Sequence, residues 1–226
     1  PDLRNPLRII DVTEFFQRCT FKPFLKRTVR AIKVHADMSK GFHEKLLKYA
    51  TSIGMGGLGY LEIQDDMSYK GPIDKFIPAD MKQEMADLAD LKPGDTIFFI
   101  ADKEARAASL AGQLRNELGA RLGLIEKNAY RFCFVNDFPM YEYDPDEKKM
   151  IFTHNPFSMP QGGLEALTTQ KPEDILAYQY DIVCNGVELS SGAVRNHDLD
   201  IMVKAFEIAG YTEEDLQKKF GALYNA

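Results

Sequence analysis

Along this 226-residue chain the spacing of apolar and polar positions changes several times, and each change marks an element. Residues 7–12 form a short apolar run of strand character, and residues 13–17 begin a helix. Residues 28–34 read as a strand. Ser39 then caps a helix that runs to about residue 53 and stops on Gly54, Gly56 and Gly57. Residues 59–64 alternate as a strand, and residues 72–77 form a shorter extended piece. Pro78 and Asp80 open a helix to about residue 91, and Lys92-Pro-Gly-Asp95 is a turn. Residues 96–101 are a buried strand. Asp102 caps a long helix through residue 122, ended by Gly123. Strands and helices intermix over 20–125 with short connections, which predicts a two-layer α+β arrangement, sheet on one side and helices on the other.

The last hundred residues are strand-rich and then helical. Strands are expected at 130–135, 149–153 and 180–184. Asp198 caps a helix through Ala209, closed by Gly210, and Thr212 with Asp215 forms a capping box for a final helix. There is no internal repeat and no low-complexity segment.

Composition narrows the class. Hydrophobic content of 45% and charged content of 27% are ordinary for a globular protein. No apolar run reaches the ~18 residues of a membrane helix, and no signal-peptide pattern opens the chain. Cys19, Cys133 and Cys184 lack the spacing of a zinc site; Cys133 and Cys184 fall inside predicted strands and read as buried reduced thiols, which fits a cytoplasmic location. The net charge of −6 gives no support to bulk nucleic-acid affinity. Its distribution is uneven: residues 20–125 hold 16 Lys+Arg and 14 Asp+Glu, so the middle is mildly basic between acidic flanks. Arg27, Arg30, Lys33 and Arg115 in that stretch are either solvated faces or a patch for RNA phosphates.

The richest chemistry lies in Asp181-Ile-Val-Cys-Asn-Gly-Val-Glu-Leu-Ser-Ser-Gly-Ala-Val-Arg-Asn-His197. The run predicts a hairpin that turns on Ser190-Ser191-Gly192, with Glu188 on one arm and Arg195 on the other. A carboxylate can hold a divalent metal or an amine; an Arg fork can hold a carboxylate or phosphate. A surface ion pair is the plainer alternative. Asp181 and Glu188 are seven apart, so regular alternation puts them on opposite faces. A bulge would bring them together, and Asn185-Gly186 is the expected place for it. His154, beside Asn155-Pro156, either caps a turn or points into a site. Asp137-Phe138-Pro139 reads as architectural.

Three stretches together resemble class II aminoacyl-tRNA synthetases of the bacterial-type aspartyl branch. Tyr180, Asp181, Val183, Asn185, Gly186, Glu188, Gly192, Arg195 and His197 fall in register with that family's strand near the active site. Val135-Asn-Asp-Phe-Pro-Met-Tyr-Glu142 is similar to its Asp-Phe-Pro segment, and Phe152-Thr-His-Asn-Pro-Phe-Ser-Met-Pro160 to its His-His-Pro-Phe segment. The order and spacing of the three make the signal specific. Residues 20–125 resemble the GAD domain, an insertion of these synthetases also found in tRNA-dependent amidotransferases. The matching features include Val29-Arg-Ala-Ile-Lys-Val34, Gly71-Pro-Ile-Asp-Lys-Phe76 and Leu114-Arg-Asn-Glu-Leu-Gly119.

The resemblance implies a division: 1–19 as a lead-in strand and helix of the catalytic domain, 20–125 as the GAD insertion, and 126–226 as the C-terminal part of the catalytic domain. It implies that His154 and Arg195 hold the substrate aspartate, and that Glu188 and Asp181 serve ATP and Mg²⁺, with Glu188 the metal ligand. Asn155, Asn185, Gly186 and Gly192 support them. Asn155 stands where the family has a second His, so it can hydrogen-bond but carries no charge. The family's dimer-forming motif, its ATP-gripping Arg motif and its Gly-rich third motif have no match here. The chain is therefore expected to be an internal fragment, monomeric and inactive alone. Its parent would be a homodimer that activates aspartate with ATP and passes it to tRNA. The competing expectation is a non-catalytic tRNA-binding module or an amidotransferase GAD domain.

Overall fold

The computed structural model describes residues 1–36 and 38–224, and of Leu223 its backbone alone. The chain falls into two compact units: Asn5–Lys127, and Asn128–Ala226 together with Pro1–Arg4. Its helices and antiparallel sheets make it an α+β protein.

The first unit is built on β1 (Ile9–Asp11), β2 (Thr28–His35), β3 (Gly59–Ile63), β4 (Tyr69–Lys70) and β5 (Asp95–Asp102). They form one sheet in the order β1-β2-β5-β3-β4, with antiparallel pairing throughout. Its helices are α1 (Thr13–Gln17), α2 (Lys40–Ser52), α3 (Lys82–Ala89) and α4 (Glu104–Arg121). The expected two-layer arrangement is corrected here, because helices cover both faces of the sheet. Val29, Ala31, Ile97 and Phe99 pack with Phe15 and Phe16 of α1 and Met85 of α3. Ile32, Val34, Phe98 and Ile100 pack with Leu46 of α2 and with Leu110 and Leu114 of α4. The unbroken apolar run in β5 requires this, since a strand without alternation needs apolar cover on both sides.

Two further differences follow local chemistry. Residues 72–77 are not extended but contain a 3₁₀ turn at Asp74–Phe76. Residues 5–19, expected as a lead-in to the other unit, belong to this one: β1 pairs with β2, and Val12, Phe15 and Phe16 are buried in its core. Arg115 donates to the carbonyls of Asn5 and Leu7, each at 2.6 Å, which ties that segment to α4. Ser39 caps α2 as expected, accepting from the Phe42 amide at 3.2 Å.

The second unit holds β6 (Phe132–Pro139), β7 (Tyr141–Asp144), β8 (Lys149–Phe152), α5 (Gly163–Thr169), β9 (Leu176–Cys184), β10 (Val187–Ala193), α6 (Leu199–Ile208) and α7 (Glu213–Tyr224). A three-stranded sheet runs β10-β9-β6, and β7 pairs with β8. The core gathers around Met140, Tyr141, Ile175, Ala205 and Phe206. Asp198 caps α6 by accepting from the Asp200 and Ile201 amides. Thr212 and Asp215 form the expected reciprocal cap of α7.

Candidate active site

The β9–β10 hairpin turns at Asn185-Gly186, not at Ser190-Ser191-Gly192. Cys184 pairs with Val187, so the loop has two residues. Asn185 has φ 52° and Gly186 φ 82°, the left-handed pair that a tight hairpin of this twist demands. Serines have no such tolerance, and Ser190, Ser191 and Gly192 instead continue β10. Asn185 also secures β6: its side chain accepts from the Arg131 amide at 3.0 Å and donates to the Ala129 carbonyl at 2.9 Å. Glu188 and Arg195 therefore lie on the same arm, one within β10 and the other two residues past its end.

A bulge is present, but at Leu189. Glu188 pairs with Val183 while Ser190 pairs with Ile182, so one residue of β10 is extra. Partners across a ladder share a face, and Asp181 faces Ser191. Glu188 faces Val183, two residues from Asp181, so the two-residue turn already puts Gln179, Asp181 and Glu188 on a single face despite the odd spacing of the two acids, and the bulge adds Ser191 to it. Gly192 sits under the ring of its partner Tyr180; a Cβ there would come within 2.5 Å of the ring.

That face forms one wall of a cleft of about 330 Å³. Phe138, His154 and Asn155 form the other. Phe138 packs edge-on against the His154 ring, centroids 4.9 Å apart. The Asp-Phe-Pro stretch is architectural in this sense: Phe138 walls the cleft, and Asp137, at φ 58° in a β6 bulge, accepts from Gln161 at 2.6 Å. Asn155 shapes its own turn by accepting from the Phe157 amide at 3.0 Å. Arg195 is exposed and does not line the cleft; it forms a bridge opposite Ser158, two residues beyond Ala193, which does line it. Expected residues His154, Asn155, Asp181, Glu188 and Gly192 are thus brought together, Asn185 and Gly186 build the hairpin, and Arg195 flanks.

Gln179, Ser191 and Phe138 line the cleft and escaped sequence reasoning as site residues. For Gln179 a signal existed: a polar residue two positions before Asp181 must share its face. Among the described residues no cluster of three or more His, Cys, Asp or Glu could hold a metal ion. Two carboxylates on one face suit an ion that takes its other ligands from water and phosphate.

The first unit has roomier clefts. In one of about 830 Å³, Asp95 already answers to His35 at 2.8 Å, and His43 lies 3.2 Å from Glu62. Of the basic residues singled out, Arg30 pairs with Asp11 and Lys33 with Asp90, while Arg115 serves the backbone. Arg27 remains exposed. All three cysteines are free; Cys19 and Cys184 are buried, but Cys133, expected to be buried, is only half-buried. No described helix is long and apolar enough to cross a membrane.

The family model for class II tRNA synthetases (D, K and N) matches residues 2–226. The chain is 52% identical, over its whole length, to an aspartate–tRNA(Asp/Asn) ligase of Ehrlichia chaffeensis, of which it covers 40%. It is 49% identical to the ligase of the same name from a Wolbachia of Brugia malayi and 47% identical to that of Rickettsia felis, again over its whole length, covering 39% and 40% of them. The chain therefore spans about 40% of the length of the curated relatives it matches.

Proposed function

The chain belongs to the class II tRNA synthetases (D, K and N), and on that footing we propose that it is part of an aspartate–tRNA ligase and carries one side of the aspartate and ATP site. The observation that carries this reading is the cleft, where the tight turn at Asn185-Gly186 sets Asp181 and Glu188 on one face that shares a space with His154. An amidotransferase GAD domain or a purely RNA-binding module would have no use for that pair of acids beside His154.

In this reading His154 and Arg195 hold aspartate. A guanidinium fork rewards a planar carboxylate over the neutral amide of asparagine. Glu188 and Asp181 face ATP and a Mg²⁺ ion, which when bound neutralises phosphate charge. Residues 20–125 correspond to the GAD insertion, and 126–226 to part of the catalytic domain. The full-length protein, a homodimer, transfers aspartate to tRNA-Asp and, by the name its relatives carry, to tRNA-Asn.

The test uses the full-length protein. Aspartate-dependent exchange of pyrophosphate into ATP is expected, and both tRNAs should be charged. Arg195→Lys keeps the charge but loses the fork. It should raise KM for aspartate about 10-fold or more, from a lost charge-assisted bond of ~1.5–3 kcal/mol, and raise KM for ATP less. An unchanged KM for aspartate would remove Arg195 from its role, and absence of exchange would overturn the reading.

A further inference from the structure

Gln179 is a buried polar side chain, 8% exposed, on the cleft face of β9. Its amide nitrogen donates to the Asn155 carbonyl at 3.0 Å and to the Ser158 hydroxyl at 2.8 Å. Those two residues are the ends of one turn, closed by the Ser158 amide donating to the Asn155 carbonyl at 3.2 Å. One side chain thus pins both ends of the turn to the strand that carries Asp181.

The two ends lead to different residues of the candidate site. Asn155 directly follows His154. Ser158, fully buried, lies opposite Arg195. Backbone bonds on either side hold that second pairing: Met159 donates to the Val194 carbonyl at 2.8 Å, and Asn196 to the Phe157 carbonyl at 2.8 Å. The path from His154 to Arg195 therefore runs through Asn155, Gln179 and Ser158. Both amide protons of Gln179 are committed to it.

We propose that Gln179 is a positioning residue that sets the separation between His154 and Arg195, and with it the fit for a four-carbon dicarboxylate rather than for ATP. The idea rests on the reading of His154 and Arg195 as aspartate ligands. A side chain with a different reach, or without two donors, would free the turn to shift relative to Asp181. The acids that face ATP sit on the hairpin itself, whose ladder does not depend on Gln179.

The test is made in the full-length protein with Gln179→Met, which keeps the length and loses both donors, and with Ser158→Ala, which removes one acceptor. Gln179→Met should raise KM for aspartate on the order of 10-fold, the loss expected for two hydrogen bonds, with KM for ATP within about twofold. Ser158→Ala should raise KM for aspartate by roughly threefold, and the double variant should be no worse than Gln179→Met, because both act on one path. If Gln179→Met does not fold, Ser158→Ala carries the test by the same split between the two KM values. Equal rises in both KM values, fully additive effects, or an unchanged KM for aspartate in a folded variant would overturn the proposal. Loss of exchange in the unsubstituted protein would instead overturn the functional reading on which it stands.

Discussion

The two units treat their sheets in opposite ways. In Asn5–Lys127 the sheet is covered on both faces, and Ile97, Phe98, Phe99 and Ile100 in the central strand are all at most 1% exposed. In the second unit the three-stranded sheet has a polar cleft on one face, while on the other Phe132, Phe134 and Val187 are each 60% exposed or more. Hydrophobic burial concentrates in the first unit; the chemistry-bearing residues concentrate in the second. Asp181 and Glu188 thus sit on a sheet that buries fewer of its side chains.

The largest effect that sharpens the contrast comes from the closed sheet. Phe99 is 1% exposed and touches Phe16 and Phe24 through edge-on and tilted ring contacts. Phe99→Ala should cost about 3–5 kcal/mol, the range for emptying a core of an aromatic ring. Denaturant titration followed by circular dichroism reads the loss. A cost below about 1.5 kcal/mol would mean that the sheet is less tightly covered than its side-chain burial indicates.

Part of this was legible in the sequence, and the misses have physical causes. The unbroken run at 96–101 marks a buried strand, and its lack of alternation demands two covered faces, which a two-layer arrangement does not supply. Polar, small Ser190-Ser191-Gly192 resembles a turn in composition, but only Asn185-Gly186 tolerates positive φ at both positions, and the hairpin turns there. The odd spacing of Asp181 and Glu188 needs no bulge once Asn185-Gly186 is the turn, because Glu188 then stands opposite Val183, two residues from Asp181. The bulge at Leu189, which no Gly or Pro marks, instead sets Ser191 opposite Asp181. Resemblance named His154, Asp181 and Glu188, whereas the role of Gln179 rests on contacts across 21 and 24 positions that no local pattern reveals.

A smaller effect tests the burial of the closed unit through pH. Tyr69 is 6% exposed and donates to the Lys82 carbonyl at 2.6 Å. Burial pushes its hydroxyl from the ordinary value near 10 up to about 12. The folded state therefore favours the neutral phenol. Its stabilisation is complete below pH 10 and is lost as pH rises toward 12, by at most about 3 kcal/mol. Tyr141 in the second unit is shifted in the same direction by burial. Tyr69→Phe should melt lower near pH 7, for want of the hydroxyl bond, and lose less stability than the parent between pH 10 and 12. Parallel pH profiles for the two proteins would mean that Tyr69 ionises freely in the folded state.

The smallest expected effect falls on the open face. Phe134 is 64% exposed and pairs with Ile182, on the side of the sheet away from the cleft. Phe134→Ser removes an aromatic ring that is mostly in water already, so little burial is lost and no cavity forms. The stability change should stay within about 0.5 kcal/mol, as for surface positions generally. Replacing an exposed aromatic by a hydroxyl also shrinks an apolar patch, so self-association measured by sedimentation should weaken or stay the same. A loss above about 1.5 kcal/mol would show that the ring is held by neighbours after all. The two sheets would then differ less than the exposures of Phe134 and Phe99 imply, and the open face would have to be counted as part of the second unit's core.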